Sequence, residues 1–155
     1  MRLTTFTDYS LRVLIYLGLK GESLSTIGEI AGAYSVSQNH LMKIVQNLAA
    51  MGYVETIRGK GGGLRLASTP EEINVGEVVR ACERSMALVE CFEPGHSCCI
   101  EKACMLKGLF HEAGEAFLAV LEKYTLADLL RSRDRLAVSL GISTGDGRPQ
   151  QAGSA

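Results

Sequence analysis

Residues 25–67 place two short amphipathic helical patterns, a three-residue break and a glycine-rich basic hairpin in direct succession, and few folds accept that order. The first pattern, residues 26–33, is opened by Ser25 and carries Glu29 near its positive end, where an anion is favoured. Tyr34-Ser35-Val36 breaks it, and Ser37 caps a second pattern running to about residue 51. There Leu41, Ile44, Val45 and Leu48 recur at helical spacing, while Gln38, Asn39, His40, Lys43 and Asn47 point elsewhere. Two helices joined by a tight turn, the second polar on its outer face, are a helix-turn-helix pattern. Residues 53–57 and 63–67 then read as paired strands around Arg58-Gly59-Lys60-Gly61-Gly62. The hairpin is a wing, so the predicted fold is mostly α: a winged helix-turn-helix with a two-stranded wing.

An earlier helix, capped by Thr7 and stopped by Gly21, carries Leu11, Leu14, Ile15 and Leu17 mostly on one face. Beyond the wing, Asn74 caps a helix over residues 75–84, and a cysteine-bearing loop occupies residues 90–101. A long helix over residues 102–124 sets Leu106, Leu109, Phe110, Ala113, Phe117, Val120, Leu121 and Tyr124 along one stripe, as a helix that pairs with its twin would. Thr125 caps a short helix over 126–131, and 134–140 continues helically. The division expected is a DNA-binding domain over 1–74, a loop and dimerisation helices over 75–140, and a Gly/Ser/Gln/Pro-rich tail over 141–155, expected to be disordered.

Net charge of -1 conceals a split. Residues 1–67 carry seven Lys/Arg against four Asp/Glu, and residues 68–155 carry nine against thirteen, so a basic front half precedes an acidic back half. That suits nucleic-acid contact by the front half alone. The apolar stretch 11–19 contains Arg12 and is too short for a membrane span, and no secretory leader precedes it. A cytoplasmic protein with no membrane partner is expected.

The first turn of the second helix of the pair enters the major groove in such folds. Ser37, Gln38, Asn39 and His40 stand there, and the Gln38 and Asn39 amides match the donor and acceptor on an adenine edge. Lys43 suits a phosphate. The wing lacks the Lys-Ser/Thr ending and following helix of a nucleotide-binding loop. Its glycines instead let the hairpin lie against a sugar-phosphate backbone to which Arg58, Lys60 and Arg65 bring charge. The plainer reading, a solvated helix face and a flexible hairpin, leaves the bracketing basic residues unaccounted for.

Five cysteines, an odd number in a reducing compartment, favour metal or redox chemistry over structural disulfides. Cys82 lies within a helical pattern and reads as a small buried hydrophobe. Cys91, Cys98, Cys99 and Cys104 fall within fourteen residues beside Pro94 and Gly95. Six residues separate Cys91 from Cys98 and five separate Cys98 from Cys104, too loose for a zinc ribbon but open to an iron–sulfur cluster. The vicinal Cys98-Cys99 pair leaves a second possibility, a soft metal or metalloid. His96 is a ligand candidate or a solvated loop residue. A thiol oxidoreductase would need a Cys-x-x-Cys in a βαβ setting, and the chain has neither.

Several segments resemble the NsrR-type repressors, nitric-oxide-sensing iron–sulfur winged-helix regulators. They are Leu3-Thr4-Thr5-Phe6-Thr7-Asp8-Tyr9-Ser10-Leu11-Arg12, Val36-Ser37-Gln38-Asn39-His40-Leu41-Met42-Lys43 and Arg58-Gly59-Lys60-Gly61-Gly62-Gly63. Cys98 to Cys104 with Leu106-Lys107, and Tyr124-Thr125-Leu126-Ala127-Asp128-Leu129, continue the match over about residues 1–140. The resemblance implies a homodimer bound to a double-stranded operator, not an enzyme, with nitric oxide as signal. It implies a [2Fe-2S] or [4Fe-4S] cluster on Cys91, Cys98 and Cys104, and in some members an aspartate at the position of Asp8, reaching from the other subunit, supplies a non-cysteine ligand. An intact cluster would favour the DNA-binding arrangement. Asp8 and Arg12, four apart on one helix face, are expected to pair. Lys107 stands where related cluster-biogenesis regulators carry a ligating histidine. The chain departs from the family in the glutamine at 38, where the family often has arginine, and around the thiols, where the gap from Cys91 to Cys98 is longer than in several relatives and Cys99 is extra. Register from Cys104 favours Cys98 as the ligand.

Overall fold

A computed structural model describes residues 2–83, 85–92, 95 and 98–142. The expected 141–155 tail lies almost wholly outside them, as does His96. Seven helices and one hairpin follow in chain order among the described residues: α1 (Thr5–Lys20), α2 (Ile27–Tyr34), α3 (Gln38–Ala50), β1 (Val54–Ile57), β2 (Gly63–Leu66), α4 (Val75–Cys82), α5 (Met105–Leu121), α6 (Leu126–Leu129) and α7 (Arg133–Ser139). Two single 3-10 turns, Glu90–Phe92 and Glu101–Ala103, lie between α4 and α5. The mostly helical winged fold is as expected.

Helix α1 is the axle. Val13, Leu14 and Leu17 are fully buried, packed among Ile30, Leu41, Ile44, Leu48, Ile73, Val78 and Leu126. The core therefore draws on α2, α3, α4 and α6 as well as α1. The α1 cap is Thr4, whose Oγ accepts from the Thr7 N–H. Thr7 itself is completely buried inside the helix, so the cap falls three residues earlier than the sequence suggested. Glu83, at the end of α4, accepts from both the N–H and the hydroxyl of Thr4, tying the start of α1 to the region before the cysteines.

The opening of α2 also shifts by one residue. Thr26, not Ser25, is the cap, because only Thr26 stands three residues before Glu29 and so completes a reciprocal capping box. The Thr26 N–H holds the Glu29 carboxyl below its ordinary range. Ser25 is buried and exchanges two backbone hydrogen bonds with Leu64, which anchors the wing to the helical core. The wing strands pair antiparallel with Thr56 opposite Leu64. At Gly62 a side chain would meet the Ile57 carbonyl oxygen at 2.2 Å, so the hairpin closes only around glycine there.

The long helix is shorter than its pattern. Cys104 is extended (φ -83°, ψ 109°) and caps α5, so the preceding turn over 101–103 remains separate. The apolar stripe also divides. Leu118 is buried and Phe110, Phe117 and Leu121 are half-buried, whereas Leu106, Leu109, Ala113, Ala116, Val120 and Tyr124 are exposed. An arc this wide cannot face one neighbour. At its far end α5 is joined to α4: Asn74 Nδ2 donates to the Glu122 carbonyl, Arg80 pairs with the Glu122 carboxylate at 2.7 Å, and Gly76 lies so close that a Cβ would sit 2.4 Å from Glu122 Cγ.

Candidate DNA interface and thiol centre

Ser35 ends α2 in the left-handed conformation (φ 54°), turning the chain into α3 with two backbone hydrogen bonds to Ala31 and Gly32. Ser37 caps α3 without a side-chain bond, so its hydroxyl is uncommitted to the helix. Ser37, Gln38, Asn39, His40 and Lys43 are all exposed, while Leu41, Ile44, Val45 and Leu48 hold the opposite face in the core. On the wing, Arg58 and Lys60 are exposed at the tip, and among the described residues no carboxylate pairs with them or with Lys43. Arg65 differs. It lies on β2, half-buried, paired with Glu55 at 2.9 Å and Glu22 at 3.6 Å.

Asp8 and Arg12 form the expected pair at 3.0 Å. The structure adds partners that spacing did not suggest. The Arg12 guanidinium lies 5.5 Å from the Tyr9 ring centre and 5.7 Å from that of Tyr34, and the Tyr34 hydroxyl donates to the Arg12 carbonyl at 3.0 Å. Burial pushes the Tyr34 phenol up to about 12, so it stays a donor. Tyr9 in turn meets His40 edge-on at 5.3 Å. A chain of contacts thus runs from Asp8 through Arg12 to the helix-turn-helix turn on one side and the recognition helix on the other. Tyr9 and Arg12, three apart, were readable as neighbours; Tyr34, twenty-two residues on, was not.

Cys91 sits in the first 3-10 turn, Cys98 begins the segment leading into the second, and Cys104 ends it. All three are free and partly exposed; Cys99 is exposed. Cys82 is buried in α4, where burial raises its thiol pKa, in keeping with a packing role. Soft thiolates suit iron, and three on irregular segments around the start of α5 fit an iron–sulfur cluster in donor chemistry. Among the described residues no three Cys, His, Asp or Glu side chains are gathered into one group, and Asp8 is engaged by Arg12. Lys107, one turn into α5, pairs with Glu101 and shares a cavity of about 460 Å³ with Cys91, Phe92 and His111. No described helix is long and apolar enough to cross a membrane.

Comparison with known proteins accounts for this combination. The profile of the Rrf2 family, described as iron-dependent transcriptional regulators, matches residues 3–132. The HTH-type transcriptional regulator NsrR of Bacillus subtilis (strain 168) is 54% identical over 137 residues, covering 86% of this chain and 93% of that one. Among solved structures, CymR (YrzC), the global cysteine regulator of B. subtilis, superposes with a TM-score of 0.67 at 31% identity, covering 83% of this chain and 95% of its own. IscR of T. potens gives 0.67 at 25% identity, covering 85% and 88%. The chain, a winged helix with its polar first turn bare and its thiols at the foot of an exposed helix, belongs to the Rrf2 family of DNA-binding transcriptional regulators and is not an enzyme.

Proposed function

We propose that the protein is a cytoplasmic, homodimeric repressor whose operator binding is controlled by an iron–sulfur cluster and released by nitric oxide. The observation that carries this reading is that Cys91, Cys98 and Cys104 are free, partly exposed, and lie in the chain between the winged helix and the exposed apolar face of α5. The similarity to NsrR supports it. Cys91, Cys98 and Cys104 would hold a [2Fe-2S] or [4Fe-4S] cluster, with Asp8 of the other subunit as a fourth, oxygen ligand. When bound, the cluster supplies iron that reacts with nitric oxide.

The chain's own residues supply the coupling. Asp8 has two uses, a ligand or the partner of Arg12. Engaging it as a ligand takes a carboxylate from Arg12, whose guanidinium rests on Tyr9 and Tyr34. Tyr34 ends α2, and Tyr9 touches His40 on α3, so the recognition helix feels the exchange. A carboxylate is also a weaker iron ligand than a thiolate in a sulfur-rich site, so Asp8 would hold the cluster less firmly than the three cysteines. A dimer reads half-sites about 34 Å apart, and a small change in head separation is enough to lose one of them.

Anaerobically purified protein is expected to bind its operator at least tenfold more tightly with the cluster than without it, and nitric oxide is expected to abolish the difference. Asp8→Ala should keep a cluster on three cysteines yet narrow the gap. Equal affinity of loaded and cluster-free protein, unmoved by nitric oxide, would sink the reading.

Gln38 and Asn39 read base edges from the groove, flanked by Ser37 and His40, and Lys43, Arg58 and Lys60 hold phosphates. Arg65 contributes charge at the wing base while its two carboxylates fix the hairpin. Lys60→Ala is expected to weaken binding to every duplex alike and to reduce the salt slope by about one unit. A changed operator preference with an unchanged slope would contradict the wing assignment.

A further inference from the structure

An ion pair between Glu101 and Lys107 joins the segment from Cys98 to Cys104 to the first turn of α5. The Cys98 carbonyl accepts from the Glu101 N–H at 3.1 Å and starts the turn; the Glu101 carbonyl accepts from the Cys104 N–H and ends it. The Glu101 carboxylate then reaches the ammonium group of Lys107, three residues past Cys104 and on the same side of α5. Lys107 and Cys91 line the same cavity, so one cation faces thiols from both sides of the loop. The Glu101 hydrogen bond raises the Lys107 pKa, so the ammonium group stays charged. His111 lies one turn further along the cavity, edge-on to Phe92.

We infer that Lys107 is a positioning residue for the thiol centre: its ammonium group, held by Glu101, clasps the 98–104 loop to α5 and offsets the negative charge gathered at Cys91 and Cys104. This inference rests on the reading above for the identity of the bound group, but not for the position of the charge. Three thiolates and an anionic cluster crowd negative charge into one small volume, and a fixed cation at their edge lowers the cost of assembling them. Removing it deletes no thiol but frees the loop from α5 and raises that cost. Arginine would keep the charge; glutamine would keep the length and lose it.

The position of the charge is tested on reduced, cluster-free full-length protein by comparing alkylation with iodoacetate, an anion, and iodoacetamide, its neutral analogue. A cation about 6 Å away favours the anionic reagent roughly threefold in water. In Lys107→Gln the iodoacetate-to-iodoacetamide rate ratio is expected to fall by about that factor at Cys91 and Cys104, to stay unchanged at Cys99, and to recover in Lys107→Arg. On loaded protein, a chelator is expected to strip iron severalfold faster from Lys107→Gln than from wild type or Lys107→Arg. Wild-type protein lacking both iron and sulfide would overturn the proposed function, and the reagent ratio would still decide the role of Lys107. A ratio at Cys91 and Cys104 that Lys107→Gln leaves unchanged, or one that shifts equally at Cys99, overturns the inference.

Discussion

Leu109→Glu combined with Val120→Glu is expected to convert the protein to a monomer and to lower operator affinity by at least a hundredfold. Leu106, Leu109, Ala113, Ala116 and Val120 follow each other at alternating spacings of three and four on α5, the periodicity of a coiled-coil seam. All five are exposed, Leu106, Leu109 and Val120 at 57%, 58% and 51%. In the proposed homodimer a second copy of the same face would cover them, alternating small with large side chains. Covering the two leucines and the valine contributes about 1 kcal/mol for each half-exposed side chain. Across two copies this corresponds to about four decades of dimer affinity at 1.4 kcal/mol per decade. Glutamates at 109 and 120 remove about two-thirds of that term and add repulsion. Because these side chains face away from the core, the double variant should keep its helical circular dichroism while native mass spectrometry shows one chain. A variant that stays dimeric with full operator affinity would place the interface elsewhere.

The second large effect separates two adjacent thiols. Cys98→Ala is expected to lose iron and sulfide after anaerobic purification, and Cys99→Ala to retain both. Cys98 is partly buried and its carbonyl starts the 3-10 turn that ends at Cys104, so the two residues stand at the ends of one compact segment. Cys99 is exposed. Iron and acid-labile sulfide per chain decide the matter. Loss in Cys99→Ala with retention in Cys98→Ala would shift the register by one. A colourless protein that binds a trivalent metalloid through both thiols would favour the vicinal-pair alternative.

The helix-turn-helix and the wing were legible because their signals are local. The 3.6-residue spacing of Leu41, Ile44, Val45 and Leu48 dictates which face of α3 is buried, and therefore that residues 37–40 and 43 are exposed. Glycines between two β-rich runs dictate a hairpin. The alternation of apolar and polar residues likewise exposed the thiols as the chain's odd feature, because four cysteines in fourteen residues serve no periodic core. Capping was legible in kind but not in place. Thr4 and Thr7, like Ser25 and Thr26, compete for the same role, and the losers in both pairs were decided by burial against distant chain, Thr7 within the core and Ser25 against Leu64.

Sequence alone determined the winged fold, the exposed polar face of α3 and the cluster of thiols, since each follows from periodicity or composition within about a dozen residues. Tertiary structure alone decided how these parts are connected. Arg12 bridging Tyr9 and Tyr34, Arg65 drawn to Glu22 and Glu55, the α4–α5 joint at Glu122, and the division of the α5 stripe into a buried and an exposed half all join residues that are far apart in the chain or share one helix. Ion pairs and ring contacts carry no period, and their geometry exists only after the apolar core has placed the elements that bear them.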